Sequence, residues 1–398
     1  MNPSFETLAI HGAQADPTAA PMICGAVTHP IFQTSTYAHS GDGVYDAVRY
    51  TRLSNGPSHL HLGAKLAALM ATESALVTAS GMAAITTTLL AHAQSGDRIL
   101  FQRGVYGGTH MFATRDLPRY GIHADIAPND DPSTWAAALH PTTRMIYVEA
   151  ATNPLVQIVD LAAVVRVARE AGILAVIDAT FMTPINLRPA ALGFDLEVHS
   201  ATKYLNGHSD LIAGVVAGRA PLVATVHHAL NHLGGCLDPH ACFLLERGLK
   251  TLPLRVRQHN QNALALARYL AARPDVTAVH YPGLDPERLV PSSVRAAYAG
   301  FGGVLSAELA GGAARADRVL ASLRMAVHGP SLGGSETLVT RPATTSHAAL
   351  AAPEREALGI SDGLVRIACG LEGTEDLIAD FAQALDATGP TAHGAGPM

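Results

Sequence analysis

The stretch from Met145 to Asp178 constrains this chain more than any other. Met145-Ile-Tyr-Val148 is an apolar run of the kind buried inside a sheet, and it ends on Glu149. Asp160 precedes the helical spacing of Leu161–Ala171, where its carboxylate can accept N–H bonds that the first turn leaves open. Gly172 stops that helix by supplying a left-handed cap. Ile173–Ile177 is a second apolar run, ending on Asp178. Strand, helix and strand in this order predict a right-handed parallel crossover. Sheets built of such units bind ligands beyond the carboxyl ends of their strands. Glu149 and Asp178 both fall there.

The same reading extends outward. Leu60–Met70 and Gly81–Ala91 carry helical apolar spacing, while Ala75–Thr78 and Arg98–Phe101 read as short strands. Residues 1–50 are rich in Pro, Thr, Ser and Gly and read as an extended arm. After Gly248 the pattern changes: Ala263–Ala272 reads as a helix, and strand and helix then alternate up to Ala384. The 398 residues, nearly half of them apolar, suit a large core and a smaller one. The expected organisation is an arm at 1–50, a large domain at 51–250 and a smaller C-terminal domain at 251–398. The tail GPTAHGAGPM is expected to be disordered.

Composition removes several functions. The net charge is -6 and no basic run occurs, which argues against nucleic acid as a partner. No apolar stretch is long enough to span a bilayer. The N-terminal MNPSFETLAIHGAQ lacks a basic segment followed by an apolar one, so no secretory signal is expected. Cys24, Cys236, Cys242 and Cys369 form no CxxC pair and fit a reducing compartment, so a cytoplasmic location is expected. The 20 histidines show no HExxH or Cys/His spacing, and no metal site is expected. A nucleotide-binding oxidoreductase would need GxGxxG between a strand and a helix, and none is so placed.

Chemistry gathers at the strand ends. About two dozen residues after Asp178 comes His199-Ser-Ala-Thr-Lys-Tyr-Leu-Asn-Gly-His208. The amine of Lys203 can form an imine with an aldehyde cofactor. A carboxylate such as Asp178 can keep a pyridine nitrogen protonated, so that the ring accepts electrons. Ser200 and Thr202 offer hydroxyls to a phosphate, and Ser80-Gly81-Met82 opens a helix whose N-terminus favours the same dianion. Taken singly, each of these residues also suits an ordinary role: a helix cap, a turn, or a solvated surface charge.

Several motifs in order lift that ambiguity. They are Tyr50-Thr-Arg52, Ser80-Gly-Met-Ala-Ala-Ile85, Tyr106-Gly-Gly108, Thr152-Asn-Pro154, Ser200-Ala-Thr-Lys-Tyr204, Gly207-His-Ser-Asp210 and Ser331-Leu-Gly-Gly334. With Pro30-Ile-Phe-Gln-Thr-Ser-Thr36 and Leu364-Val-Arg-Ile-Ala-Cys-Gly370, they span nearly the whole chain. The chain resembles the Cys/Met-metabolism enzymes dependent on pyridoxal 5'-phosphate (PLP). That resemblance implies an α/β chain of PLP fold type I, like aspartate aminotransferase, with a mostly parallel seven-stranded sheet and a smaller α/β C-terminal domain. It implies that Lys203 forms the Schiff base and shuttles protons, that Asp178 pairs with the ring nitrogen, and that Tyr106 stacks on the ring. Gly81, Met82, Ser200 and Thr202 would hold the phosphate, and Thr180 would add a further cofactor contact. Asn153 would touch the ring hydroxyl. Arg366 would clamp the substrate α-carboxylate beside Ser331, since its planar fork matches a carboxylate. Tyr50 and Arg52 would reach a neighbouring subunit's phosphate, implying a homotetramer of two dimers with shared sites.

The implied activity is α,γ-elimination from a sulfur-containing or γ-substituted amino acid, giving 2-oxo acid, ammonia and a thiol. γ-Replacement and β-elimination remain open, because they share the early steps. The match departs in five places. Ala179 follows Asp178 where the family usually has Asn. Gly56 is a one-residue insertion in YTRLSNGP, and the stretch between Tyr37 and Tyr50 is short. Gly108 stands where methionine γ-lyases tend to have Cys. Thr340 stands where enzymes acting on cystathionine often have Glu, which weakens a cystathionine assignment. Arg341 can favour an anionic distal group or simply make a salt bridge.

Overall fold

The computed structural model describes residues 3–12, 23–39, 41, 48–348 and 350–389. The tail after Gly389 and most of the short stretch before Tyr50 lie outside the described residues. The chain divides into two compact units. One comprises Met1–Ala151, Val159–Arg255 and Pro291–Gly300; the other comprises Thr152–Ile158, Val256–Val290 and Phe301–Met398.

The first unit is built on a seven-stranded sheet. Its strands are β1 (Ser74–Thr78), β2 (Arg98–Phe101), β3 (His123–Ile126), β4 (Thr143–Glu149), β5 (Leu174–Asp178), β6 (Leu196–Ser200) and β7 (Gly214–Gly218). They lie in the order β1-β7-β6-β5-β4-β2-β3. All neighbours are parallel except β7, which runs antiparallel to both β1 and β6. Strands such as LAVID and GVVAG are apolar along their length because both faces of such a sheet are covered. Helix α1 is Phe5–His11, α2 Pro57–Met70, α3 Gly81–His92, α4 Gly107–Met111 and α5 Leu161–Ala171. Val176, Leu196, Val198 and Val216 form one core with Ala84, Ile85 and Leu89 of α3.

The crossover read from sequence is present. Asp160 Oδ1 accepts the Ala163 N–H at 3.0 Å, and Gly172 caps α5 at φ 66°. Helix α1 differs from the extended arm expected at 1–50. Ser4 caps it by accepting from Thr7 N, and the buried Lys65 ammonium binds the Ile10 carbonyl at 3.2 Å. Glu246 balances that ammonium at 2.9 Å. Gly56 is the N-cap of α2, ahead of Pro57. Asn55 beside it accepts from Tyr50 N at 3.0 Å and donates to Val48 O at 2.8 Å.

The second unit carries a five-stranded sheet of β8 (Val276–His280), β9 (Val304–Leu309), β10 (Val327–His328), β11 (Leu338–Thr340) and β12 (Leu364–Ala368). Their order is β10-β11-β12-β9-β8. Leu305, Ala307, Val339, Val365 and Ile367 alternate onto one face. There they pack against Ala316, Val319 and Leu320 of helix Gly312–Ser322 and Leu377 and Phe381 of helix Thr374–Ala387. The helix expected at Ala263–Ala272 spans Leu252–Ala271.

Arg315, only 1% exposed, ties this unit together. Its Nε donates to Thr388 O at 2.9 Å, its Nη1 to Asp275 O at 2.9 Å, and its Nη2 pairs with the Asp275 carboxylate. Arg315→Leu is expected to cost about 3 kcal/mol, because carbonyls and a carboxylate lose a buried partner together. A urea denaturation midpoint reads this directly, and an unchanged midpoint would contradict it.

Candidate active site

The carboxyl ends of β4, β5 and β6 place Glu149, Asp178 and Ser200 along one edge of the large sheet, because the three strands are parallel. Strand β7 starts at that edge, where Gly214 faces both Thr78 and Ser200 in register. This brings the end of β1, and α3 that follows it, beside Ser200. Gly81 marks the contact: a Cβ there would lie 2.7 Å from Ser200 Cβ, so the helix approaches this closely only with glycine. Ser80 caps α3, its Oγ accepting from Ala83 N at 3.0 Å. The Gly81 and Met82 N–H groups stand in the first turn, where intrahelical bonding leaves donors over.

Lys203 follows directly, half-buried, in a tight loop. Its N–H donates to Ser200 O at 3.1 Å, and its carbonyl accepts from Gly207 N at 2.8 Å. Arg255 braces the loop from behind, donating to Tyr204 O at 2.8 Å and Gly248 O at 2.7 Å. Sequence reasoning missed Arg255, because nothing in its spacing links it to Lys203. Thr202 Oγ1 accepts from Ala213 N at 3.0 Å and lies 3.2 Å from Ala213 O. Its hydroxyl thus pins the lysine loop to the start of β7.

Asp178 is held from two sides. Its Oδ1 accepts from Thr180 N at 2.9 Å, and Tyr147 Oη donates to its Oδ2 at 3.5 Å. Burial pushes the Asp178 carboxyl above the ordinary carboxylate range, while the Thr180 hydrogen bonds pull it back. A protonated pyridine nitrogen would offset the burial that disfavours the carboxylate. Thr180 Oγ1 also accepts from Ser200 N at 2.8 Å, so one residue joins the ends of β5 and β6. Ala179 is buried and contributes only backbone bonds there. The groups present therefore fit the two ends of PLP: helix N–H groups and the Ser200 hydroxyl suit a phosphate, and a buried carboxylate suits a cationic ring nitrogen.

Tyr106 is the N-cap of α4 and 43% exposed. Tyr50 and Arg52 lie on the loop before α2, with the Arg52 guanidinium 5.6 Å from the Tyr50 ring centroid. Arg52 Nη1 donates to Asn231 O at 2.6 Å.

The second unit holds the remaining candidates. Arg366 on β12 stands opposite Thr340 of β11 and Ser306 of β9, on the sheet face away from the packed helices. Its Nη1 donates to Asn153 Oδ1 at 3.2 Å and its Nη2 to Ser331 O at 2.9 Å. Ser331 presents that carbonyl from a left-handed backbone, φ 91°, which is strained for a residue other than glycine. Thr340 is buried and shares a 2.8 Å hydrogen bond with Thr345 Oγ1. Arg341, next along the strand, points to the helix-covered face, where its Nε lies 3.2 Å from Asp317 Oδ1. Of the two readings of Arg341, the structure shows the salt bridge.

Among the described residues no helix is long and apolar enough to cross a membrane. The family model described as Cys/Met metabolism PLP-dependent enzyme matches residues 6–386. The chain is 38% identical to cystathionine gamma-lyase of Bacillus subtilis, over 96% of this chain and 99% of that protein. It is 39% identical to L-methionine gamma-lyase of Pseudomonas putida, over 97% and 98% of the two chains. A putative O-acetylhomoserine (thiol)-lyase of Campylobacter jejuni superposes with a TM-score of 0.88 at 28% identity, covering 96% of this chain and all of that one. Its crystal structure carries N'-pyridoxyl-lysine-5'-monophosphate.

Proposed function

Because the chain belongs to the Cys/Met-metabolism PLP-dependent enzymes, which are lyases and transferases acting on amino acids, we propose that it catalyses α,γ-elimination. The substrate is a sulfur-containing or γ-substituted amino acid, and with one water it gives a 2-oxo acid, ammonia and the γ-substituent, a thiol where that substituent is sulfur. The observation that carries this reading is the convergence of Lys203, Asp178 and the α3 N-terminus on one sheet edge.

When bound, PLP takes up the electron pair left behind as the substrate loses its Cα proton. The chain supplies the rest. Lys203 Nζ would hold the cofactor covalently, and its amine, once freed by substrate, is placed to take the Cα proton; a second proton lost from Cβ then lets the γ-substituent leave. Asp178 keeps the ring nitrogen charged. The Gly81 and Met82 N–H groups with Ser200 and Thr202 hold the phosphate. Tyr106 would lie against the ring and is placed to exchange a proton with the departing group, and Asn153 would hold the ring hydroxyl. Arg366 takes the α-carboxylate. Thr340 leaves the distal end without the carboxylate that would attract a second ammonium, which favours a substrate with an uncharged distal group. Tyr50 and Arg52 complete a neighbouring subunit's site within a homotetramer, and the enzyme works in the cytoplasm.

The test is a panel of methionine, homocysteine, cystathionine and O-acetylhomoserine, incubated with and without an added thiol. Release of 2-oxobutanoate, fastest with an uncharged distal group, is expected. New amino acid in place of oxo acid would make the enzyme a replacement transferase, and pyruvate would make it a β-lyase.

A further inference from the structure

We infer that Glu149 is a positioning residue that acts through Tyr106. The inference rests on the proposed role of Tyr106. Nearly half of the Tyr106 side chain is open to solvent, so packing alone does not fix its ring. Its backbone, by contrast, is clamped. The Tyr106 N–H donates to Glu149 Oε1 at 2.5 Å. Glu149 has little room to move, being 5% exposed at the end of β4. Its own N–H donates to the side-chain carbonyl of the buried Gln102 at 2.9 Å. The Gln102 N–H in turn donates to Tyr147 O at 2.9 Å. The ends of β2 and β4 thus form one hydrogen-bonded brace, and Tyr106 hangs from it.

A second contact sets the ring. A Cβ on Gly108 would lie 2.6 Å from Tyr106 Cε1 and 3.0 Å from Met82 Sδ. The aromatic edge therefore folds back into the slot that glycine leaves open, beside the first turn of α3. Anchored at its amide and slotted at its edge, the ring has its position fixed before any substrate arrives, as a preorganised site requires. Glu149 itself needs no contact with substrate or cofactor to do this.

The test is a double-mutant cycle with Glu149→Ala and Tyr106→Ala. It reads both kcat/KM and the affinity of the apoenzyme for PLP, followed by protein fluorescence. Glu149→Ala alone is expected to weaken both about tenfold or more, the scale of an N–H left without its acceptor. In the Tyr106→Ala background the further loss should fall to about twofold, because the cycle then has nothing left to couple. Glu149→Gln keeps an acceptor oxygen and should stay within a few-fold of the parent. Additive losses would overturn the inference, as would a Glu149→Gln variant as poor as Glu149→Ala, which would make charge the function. Should Tyr106→Ala alone change nothing, the premise about Tyr106 fails, and that outcome is distinct from additivity. If Glu149→Ala does not fold, Gln102→Ala, which frees only the Glu149 N–H, enters the same cycle with the same expectations.

Discussion

Lys203→Ala abolishes turnover and removes the visible absorbance of the lysine-linked cofactor: that is the largest effect expected from any single replacement. Two roles end at once, the covalent hold on the cofactor and the base that removes the Cα proton. A positioned base alone accounts for roughly 10²–10⁴ in rate, so a fall of at least about a thousandfold is expected. The fold should survive. The loop is held by backbone bonds from Ser200 and Gly207 and by Arg255, none of which uses the Lys203 amine. Circular dichroism and the visible spectrum separate the two effects. An unchanged spectrum in a folded variant would show that another amine carries the cofactor.

Arg366→Leu comes second. The guanidinium is buried, charged, and already oriented by Asn153 Oδ1 and Ser331 O. Losing a buried charge-assisted partner costs about 2–5 kcal/mol, or roughly thirtyfold to several thousandfold in kcat/KM. Much of it should appear in KM, since a carboxylate is held in the ground state as well as later. Arg366→Lys should recover little, because a point charge does not replace a planar fork. The decisive comparison uses a substrate whose carboxylate is replaced by an amide. Parent and variant should handle it equally badly. A variant that loses as much on the amide as on the acid would make Arg366 a structural residue.

The sequence revealed most where local chemistry and global fold agree. Asp160 and Gly172 bound α5 because a cap needs one acceptor and one left-handed residue, and both are readable from residue type. Arg98–Phe101 is readable as a strand because Ile99, Leu100 and Phe101 form a buried apolar run. The helix Leu252–Ala271 was only half legible because its first turns face inward with polar groups. Buried Arg255 binds loop carbonyls, His259 meets Cys369 O at 2.7 Å, and Asn262 donates to Gly370 O at 3.0 Å. Buried Leu252 and Val256 share that face with these polar groups, which breaks the apolar periodicity. Arg341 shows a different limit. Adjacency to Thr340 suggested a shared task, but strand alternation sends the two side chains to opposite faces. Glu149 is readable as a strand-end residue; its bond to Gln102 is not. Their bond network depends on register between β2 and β4, which no single segment encodes.

The place of β7 between β1 and β6 also governs how this protein can be made. Thr78 pairs with Gly214, so β1 must wait for more than a third of the chain before its neighbour exists. As synthesis proceeds from the N-terminus, α2 and β1 emerge early and leave a strand edge unpaired, an invitation to pairing between molecules. Closure of the sheet is a late, long-range event of the kind that slows folding. The same event seats the α3 N-terminus beside Ser200. Truncated chains ending before β7 should therefore aggregate and fail to retain PLP, even though they contain Lys203 and Asp178.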